Sequence, residues 1–546
     1  MNRRGPLSPG RIVAATLTAT LAAACGGSSS PAGPTTASPS AAPPAAPFSV
    51  RFTIDSGANV HPISPYVYGM NQADWSGRSR HLTLGRLGGN RLTAYNWENN
   101  ASNAGNDFHN QSDDYLGGGD TAGEVVRKEV AASHSAGASM VVTVPIQGYV
   151  AADKNGGGDV SQTPDYLNVR FRVSKARKGA GFQYPPDTGD RFVYQDEFVH
   201  WLEGAFPESR HDPRRTIFYN LDNEPDLWSS THSRIHPNPT TYAEMVARTT
   251  EYASAIKSVA RDALVFGFVS YGWNGYTTLQ NAPDGGGRDF IDLFLDSMRA
   301  AERQASRRLL DVLDLHWYPE AQGSGVRIVD ANDSSPVVAA RVQAPRSLWD
   351  PNYVESSWIS NNVGAIQLLP RLRDKIAQHY PGTRLALTEY NYGGPNHISG
   401  TLAEADVLGI FGRENVFAAT LWPLVDTAQQ SAIDGAFDVY RNYDGAGSAF
   451  GDTSVLANTS DAANTSVYAS VDSSSDDRVV IVAINKATAP ATAEVSASHS
   501  RALGRAEVYR ITAVGAPQRQ ADQTVASLAF TDTLPAESVT VYVLRP

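Results

Sequence analysis

Between about residues 62 and 426 the chain alternates two textures. Short, nearly continuous apolar runs occupy 140–145, 216–220, 265–269, 312–316, 385–388 and 417–422, and longer helix-like stretches fill 242–260, 290–310, 361–379 and 401–412. A strand that is apolar on both faces needs cover on both faces, so the pattern predicts a parallel sheet wrapped by helices. The span suits an α/β fold of the (β/α)8 type, a TIM-like barrel enlarged by loop insertions. A doubly wound open sheet is the alternative, but no Gly-x-Gly-x-x-Gly turn follows a first strand.

Past residue 430 the hydrophobic period shortens to two, in short segments such as 478–484, 506–510 and 538–544 separated by Thr, Ser, Ala and Asp. That alternation predicts an antiparallel β-sandwich at the C-terminal end. Residues 48–54 alternate in the same way and are expected to pair into the sandwich, bringing the chain ends together. Residues 26–47 are Gly, Ser, Pro, Ala and Thr without a charge, a composition that cannot bury enough apolar surface to order itself. The predicted organisation is a leader at 1–25, a tether at 26–47, a sandwich-pairing strand at 48–60, a catalytic barrel at 61–430 and the sandwich at 431–546.

The leader sets Arg3, Arg4 and Arg11 ahead of an apolar run at 12–24, the layout of a secretory signal and too short for a stable bilayer span. Leu21-Ala22-Ala23-Ala24-Cys25 resembles a bacterial lipoprotein processing site, which implies a lipid anchor on Cys25. Plain secretion with an incidental cysteine is the alternative. As the sole cysteine, Cys25 also excludes an intramolecular disulfide and a cysteine-based zinc site. Net charge −11 and a pI near 5.6 argue against nucleic acid or an anionic membrane surface as partner. The expected product is a secreted or cell-surface protein of a bacterium, acting as a monomer.

Barrel enzymes build their sites at the C-terminal ends of the strands, so the polar residues that follow each apolar run carry the functional reading. Residues 216–220 run into Leu221-Asp222-Asn223-Glu224-Pro225, and 385–388 run into Glu389-Tyr390-Asn391. Cleavage of a glycosidic bond needs two carboxyl groups facing each other across it, and strands four and seven of a barrel can supply them. Glu224 suits the acid/base, with Asn223 beside it to bind the 2-hydroxyl of the sugar being cleaved. Glu389 suits the nucleophile, oriented by the hydroxyl of Tyr318 or Tyr390.

Asn-Glu-Pro after strand four with Thr-Glu-Tyr after strand seven resembles the retaining (β/α)8-barrel glycosidases. The strings at 221–228, 231–237, 88–100 and 388–394 resemble glycoside hydrolase family 44, over roughly residues 48 to 546. The resemblance implies a retaining endoglucanase or xyloglucanase acting on β-glucan, with Glu224 as acid/base and Glu389 as nucleophile. Asp226 departs from the family pattern, which favours Ala there. Its side chain is expected to point away from the sugar, yet a third carboxylate so close can alter the pH optimum.

Other strand ends supply sugar contacts. His316 and Tyr318 lie where the run at 312–316 closes, and Trp422 closes the eighth strand, where relatives in the superfamily set a tryptophan under the sugar. Trp97 lies in a polar loop with no evident core to fill and is read the same way. Trp273, Trp349 and Trp358 are either distal platforms or packing. His232 and His236 have metal-binding spacing, but prolines follow at once and a loop role fits better. Asp153 and Asp159 border an oxygen-rich loop, either a calcium site or a solvated turn; catalysis itself calls for no cofactor. A non-catalytic carbohydrate-binding lipoprotein would not need both glutamates. A xylanase, mannanase or exo-acting β-glucosidase would, and the sequence does not separate these from an endoglucanase.

Overall fold

The computed structural model describes residues 46–75, 77 and 81–546. The leader, Cys25 and all but the last two residues of the tether lie outside the described residues.

Eight parallel strands close a barrel in chain order: β1 Gly69–Asn71, β2 Leu84–Leu87, β3 Ser139–Val144, β4 Ile217–Leu221, β5 Val265–Ser270, β6 Val312–Trp317, β7 Arg384–Tyr390 and β8 Ala418–Leu421. Crossover helices follow β2 to β7: α1 Glu124–Ser135, α2 Gln195–Ala205, α3 Tyr242–Val259, α4 Phe290–Ala305, α5 Leu368–His379 and α6 Ile398–Arg413. The strands read from apolar runs are all present. The short β1 and β2 escaped that reading, because three or four residues carry too little periodicity to register.

One residue from each of β2 to β8 forms a dry layer inside the barrel: Leu84, Val141, Phe218, Phe266, Val312, Ala386 and Ala418. Side chains alternate across a strand, so the next inward positions lie two residues on. On every strand of the layer but β5 they are Arg86, Thr143, Asn220, Asp314, Thr388 and Thr420, all buried; on β5 the residue two on, Phe268, packs instead on Phe290 and Phe294 of α4. The barrel thus passes within one pleat from an apolar plug to a polar floor, and the mouth opens above that floor.

The longer strands that follow the barrel are β9 Thr453–Thr459, β10 Thr465–Asp472, β11 Ser475–Asn485, β12 Ala491–Ser498, β13 Arg505–Ile511, β14 Ala529–Leu534 and β15 Ser538–Arg545. Hydrogen bonding runs β13, β15, β11, β10, β9, the strand Phe48–Asp55, β12, β14. Phe48–Asp55 is antiparallel to β9 and parallel to β12 along its whole length. Alternation divides the work of β11. Val479, Ile481 and Ala483 join the core of the sandwich, while Val480, Val482 and Ile484 join the barrel's core. The predicted sandwich boundary at 431 needs correction. Ser431–Arg441 is a helix, α7, packed on α6, and the sandwich strands start only at Thr453. The heptad Ala-Ile-Asp-Gly-Ala-Phe-Asp at 432–438 buries Ala432, Ile433, Ala436 and Phe437 on one helical face, a period of 3.6 rather than 2.

Candidate active site

β4 ends at Leu221, and the chain turns through Asp222, Asn223 and Glu224. Asp222 and Glu224 hold φ at 70° and 43°, a left-handed conformation that costs a non-glycine residue ~1–3 kcal/mol. Hydrogen bonds hold it there. The Ile146 and Gln147 amides donate to Asp222 Oδ2 at 2.6 and 2.9 Å, and the Glu224 amide donates to the Val269 carbonyl of β5 at 2.9 Å. On β7 the register shifts so that Leu315 of β6 faces Leu387 while His316 faces Glu389, leaving Thr388 as the extra residue. A bulge of this kind re-aims a side chain. Thr388 Oγ1 donates to Asp314 in the polar floor at 2.7 Å, and Glu389, which strict alternation would send outward, also enters the mouth.

A carboxylate oxygen of Glu224, one of Glu389 and a ring nitrogen of His316 lie within 4.8 Å of one another. Arg86 Nη1 donates to Glu389 Oε1 at 2.7 Å and to Asn71 Oδ1 at 3.1 Å, and Arg86 Nη2 donates to Asn223 Oδ1 at 2.9 Å. Tyr318 Oη donates to Glu389 Oε2 at 2.9 Å. His316 Nδ1 sits 2.9 Å from Glu224 Oε1 and 3.5 Å from Glu389 Oε2. Both oxygens of Glu389 are therefore engaged by donors, whereas Glu224 is bonded to the ring of His316 and keeps 16% of its side chain exposed, against 7% for Glu389.

These surroundings set the protons. Burial pushes Glu224 up to about 7, opposed by the positive charge of Arg86 and assisted by the negative charge of Asp107. Burial likewise drives His316 down to about 3, so the ring is neutral at working pH. Tyr318 is raised well above its ordinary value by burial and by both glutamates, and stays a donor.

Sequence reasoning named Glu224, Glu389, Asn223, His316 and Tyr318, and the structure brings these five together. Trp422 is half-buried beside them. Its backbone is tied to β7 by bonds with Tyr390 and Asn391, and its ring lies over Gly89, where an added Cβ would come within 2.7 Å of it. Trp97 needs correction: it is 1% exposed and packs between Phe198 and Trp201 of α2. Its loop is polar only on the outside, and the rings it fills against arrive a hundred residues later in the chain. Tyr390 Oη points away to Glu404 at 2.7 Å and does not orient Glu389. Asp226 is buried, and its carboxyl accepts a hydrogen bond from Ser270 Oγ.

Arg86 and Asn71 went unnoticed. The available signal was an arginine inside the apolar stretch Leu84-Gly85-Arg86-Leu87, followed by Gly88, where a Cβ would stand 2.3 Å from the guanidinium carbon.

Two cation sites can be tested on their donors. Asp153 is paired with Arg170 and Asp159 with Arg234, each at 2.7 Å, and Asp159 is lowered to about 2 chiefly by that arginine. Calcium at this loop would meet two guanidinium groups, so the residues do not fit it. Glu224, His316 and Glu389 have metal-like spacing, but Arg86 already stands on Glu389 as its counter-cation. That donor set suits a hydrogen-bonded acid pair.

Residues 101–321 match the model of glycoside hydrolase family 44. The chain is 43% identical to endoglucanase A of Paenibacillus lautus over 517 residues, which is 91% of this chain and 72% of the relative. It is 44% identical to a β-mannanase/endoglucanase A of Caldicellulosiruptor saccharolyticus, covering 80% of this chain and 34% of that longer protein. A family 44 xyloglucanase from Paenibacillus polymyxa, solved with xyloglucan, superposes with a TM-score of 0.87 at 41% identity, covering 91% of this chain and 100% of that one. The chain belongs to glycoside hydrolase family 44. As a family 44 glycoside hydrolase it shares with that solved structure both the closed barrel and the sandwich packed on it. Among the described residues no helix is long and apolar enough to cross a membrane.

Proposed function

We propose that this family 44 enzyme is a retaining endo-β-1,4-glucanase that cleaves plant cell-wall β-glucan by double displacement. The observation that carries the reading is the carboxylate pair, with oxygens of Glu224 and Glu389 within 4.8 Å. Carboxyl groups ~5–5.5 Å apart serve double displacement and ~6.5–9.5 Å single displacement, and facing oxygens this near favour the first.

Glu389 attacks the anomeric carbon as Glu224 gives its proton to the glycosidic oxygen. The leaving chain departs as an alcohol and a glycosyl ester remains on Glu389. Glu224, now a carboxylate, takes a proton from water as that water attacks the same carbon and displaces Glu389. The division of labour follows from the surroundings. Arg86 and Tyr318 hold Glu389 as an anion aimed at one point, and burial keeps a proton on Glu224 near neutrality. Asn223, held by Arg86, serves the 2-hydroxyl, and Trp422 supplies a platform under the sugar.

The named activities of the relatives support a β-1,4-linked glucan backbone as substrate, and the mannanase activity named for one of them makes mannan the first alternative to assay. Export by the leader, with a lipid on Cys25, is part of the same proposal, since a polysaccharide is met outside the cell.

NMR of fresh product on a panel of cellulose derivative, mixed-linkage glucan, xyloglucan, xylan and mannan tests it. The β-anomer is expected first, with internal cleavage of a glucan. Initial release of the α-anomer would overturn the covalent intermediate and the role of Glu389, and preference for mannan or xylan would overturn the substrate.

A further inference from the structure

The side chain of Asn223 is caught in a relay of hydrogen bonds that ends on an acid the reaction above does not use. Its backbone is pinned first: the amide donates to Asp222 Oδ1 at 2.9 Å, and Trp228 Nε1 donates to its carbonyl at 3.1 Å. Its side chain accepts from Arg86 Nη2 at 2.9 Å and donates through Nδ2 to Asn90 Oδ1 at 3.2 Å. Asn90 Nδ2 donates in turn to Asp107 Oδ1 at 2.9 Å. A guanidinium only donates and a carboxylate only accepts. With one at each end, both side-chain amides between them are held to a single orientation, since turning either over would set donor against donor and acceptor against acceptor. One hydrogen of Asn223 Nδ2 and one lone pair of its Oδ1 are thereby used, and the second of each is left for the sugar.

Asp107 meets Asn90 from a fixed place. Ser102–Asn103 pairs antiparallel with Ser112–Asp113, and the turn Gly105–Phe108 lies between them. The Gly105 amide donates to Asn103 Oδ1 at 2.9 Å, and Arg91, the neighbour of Asn90, donates to Asp113 Oδ1 at 2.6 Å. A Cβ on Gly105 would fall 2.2 Å from the carbonyl oxygen of Thr231, in the loop beyond Glu224. The hairpin is thus fastened at its base to the segment after β2 and pressed at its tip on the loop after β4.

We propose that Asp107, acting through Asn90, is a positioning residue that keeps the side-chain amide of Asn223 turned for the 2-hydroxyl of the sugar being cleaved. This rests on Asn223 binding that hydroxyl. The relay adds no contact with the substrate. It removes freedom from the group that makes the contact, and misplacement near a reacting centre costs up to ~100-fold in rate. Arg86 alone leaves Nδ2 of Asn223 without its partner, so both ends of the relay are needed to fix the amide.

The test compares kcat/KM on an aryl β-cello-oligosaccharide with kcat/KM on its analogue lacking the 2-hydroxyl of the ring bonded to the aryl group. Wild type, Asp107→Ala, Asn90→Ala and Asn223→Ala are assayed, with circular dichroism of each. The ratio of the two constants reads the 2-hydroxyl alone. A partial loss of folded enzyme, and the effect of the charge of Asp107 on the proton of Glu224, fall on both substrates and cancel. Asp107→Ala and Asn90→Ala are each expected to lower the ratio by ~10-fold, through loss on the substrate that carries the hydroxyl. An unchanged ratio in the folded variants overturns the inference. If Asn90→Ala fails to fold, Asp107→Ala, at an exposed turn, decides. Asn223→Ala separates the relay from the reading beneath it. A ratio that collapses in Asn223→Ala but holds in the other two sinks only the role of Asp107. A ratio that holds in all three sinks the binding of the 2-hydroxyl by Asn223 as well.

Discussion

At the scale of single residues, the site separates two chemically identical carboxyl groups by what touches them. Glu389 receives a guanidinium and a phenol, while Glu224 receives a neutral imidazole and a desolvating wall. Glu224→Gln and Glu389→Gln are each expected to lower kcat/KM on glucan by ~10³-fold or more with thermal stability near wild type, measured by reducing-sugar release and calorimetry. Retention of a tenth of the wild-type rate by either variant would refute its assignment. Both glutamates were legible in the sequence because each follows an apolar run at the strand end where such barrels place their chemistry. Arg86 was not, since one charged residue in a four-residue strand has no pattern around it. Trp97 was misread for a different reason: a loop's sequence shows its polar exterior but not the distant α2 that covers its interior.

Among the elements, α6 packs on four strands of the sandwich, and it is buried from Ser399 to Gly412. That is why its pattern lacks a polar face and why the sequence showed a helix without showing what it packs on. Gly409 lies under the ring of Tyr468 from β10, where a Cβ would approach to 2.3 Å, and Tyr468 Oη donates to Asp406 at 2.5 Å. Lys486 Nζ lies 3.4 Å from the other oxygen of Asp406, with both side chains nearly inaccessible. Gly409→Ala is expected to destabilise the fold by ~1–3 kcal/mol through overpacking. Lys486→Met should cost ~3–5 kcal/mol by stranding a buried carboxylate, and Lys486→Met with Asp406→Leu should recover most of that. Urea unfolding curves give all three values, and a double variant no more stable than Lys486→Met would refute the stranded carboxylate as the source of the cost.

Over the whole molecule, buried acids set how stability follows pH. Asp222 is raised to about 6, Glu224 and Asp314 to about 7, and Asp226 and Glu404 to about 8, in each case chiefly by burial. A raised acid contributes stability that is complete below its unfolded pKa and is lost as pH rises through the folded one. The buried His232 and His316, lowered to about 4 and 3 from 6.5, contribute in full above 6.5 and lose it on acidification. Between pH 6.5 and 8 only the acids are changing, so the melting temperature should fall across that window in scanning calorimetry. A flat or rising profile would mean that these carboxyls ionise in the folded protein at ordinary pH. The strand Phe48–Asp55 adds a mechanical consequence. It is paired along all eight residues with β12 on one side, and from Phe52 to Asp55 with β9 on the other. A pull on the chain at residue 46, along the strand, loads those hydrogen bonds together in shear instead of peeling them one at a time.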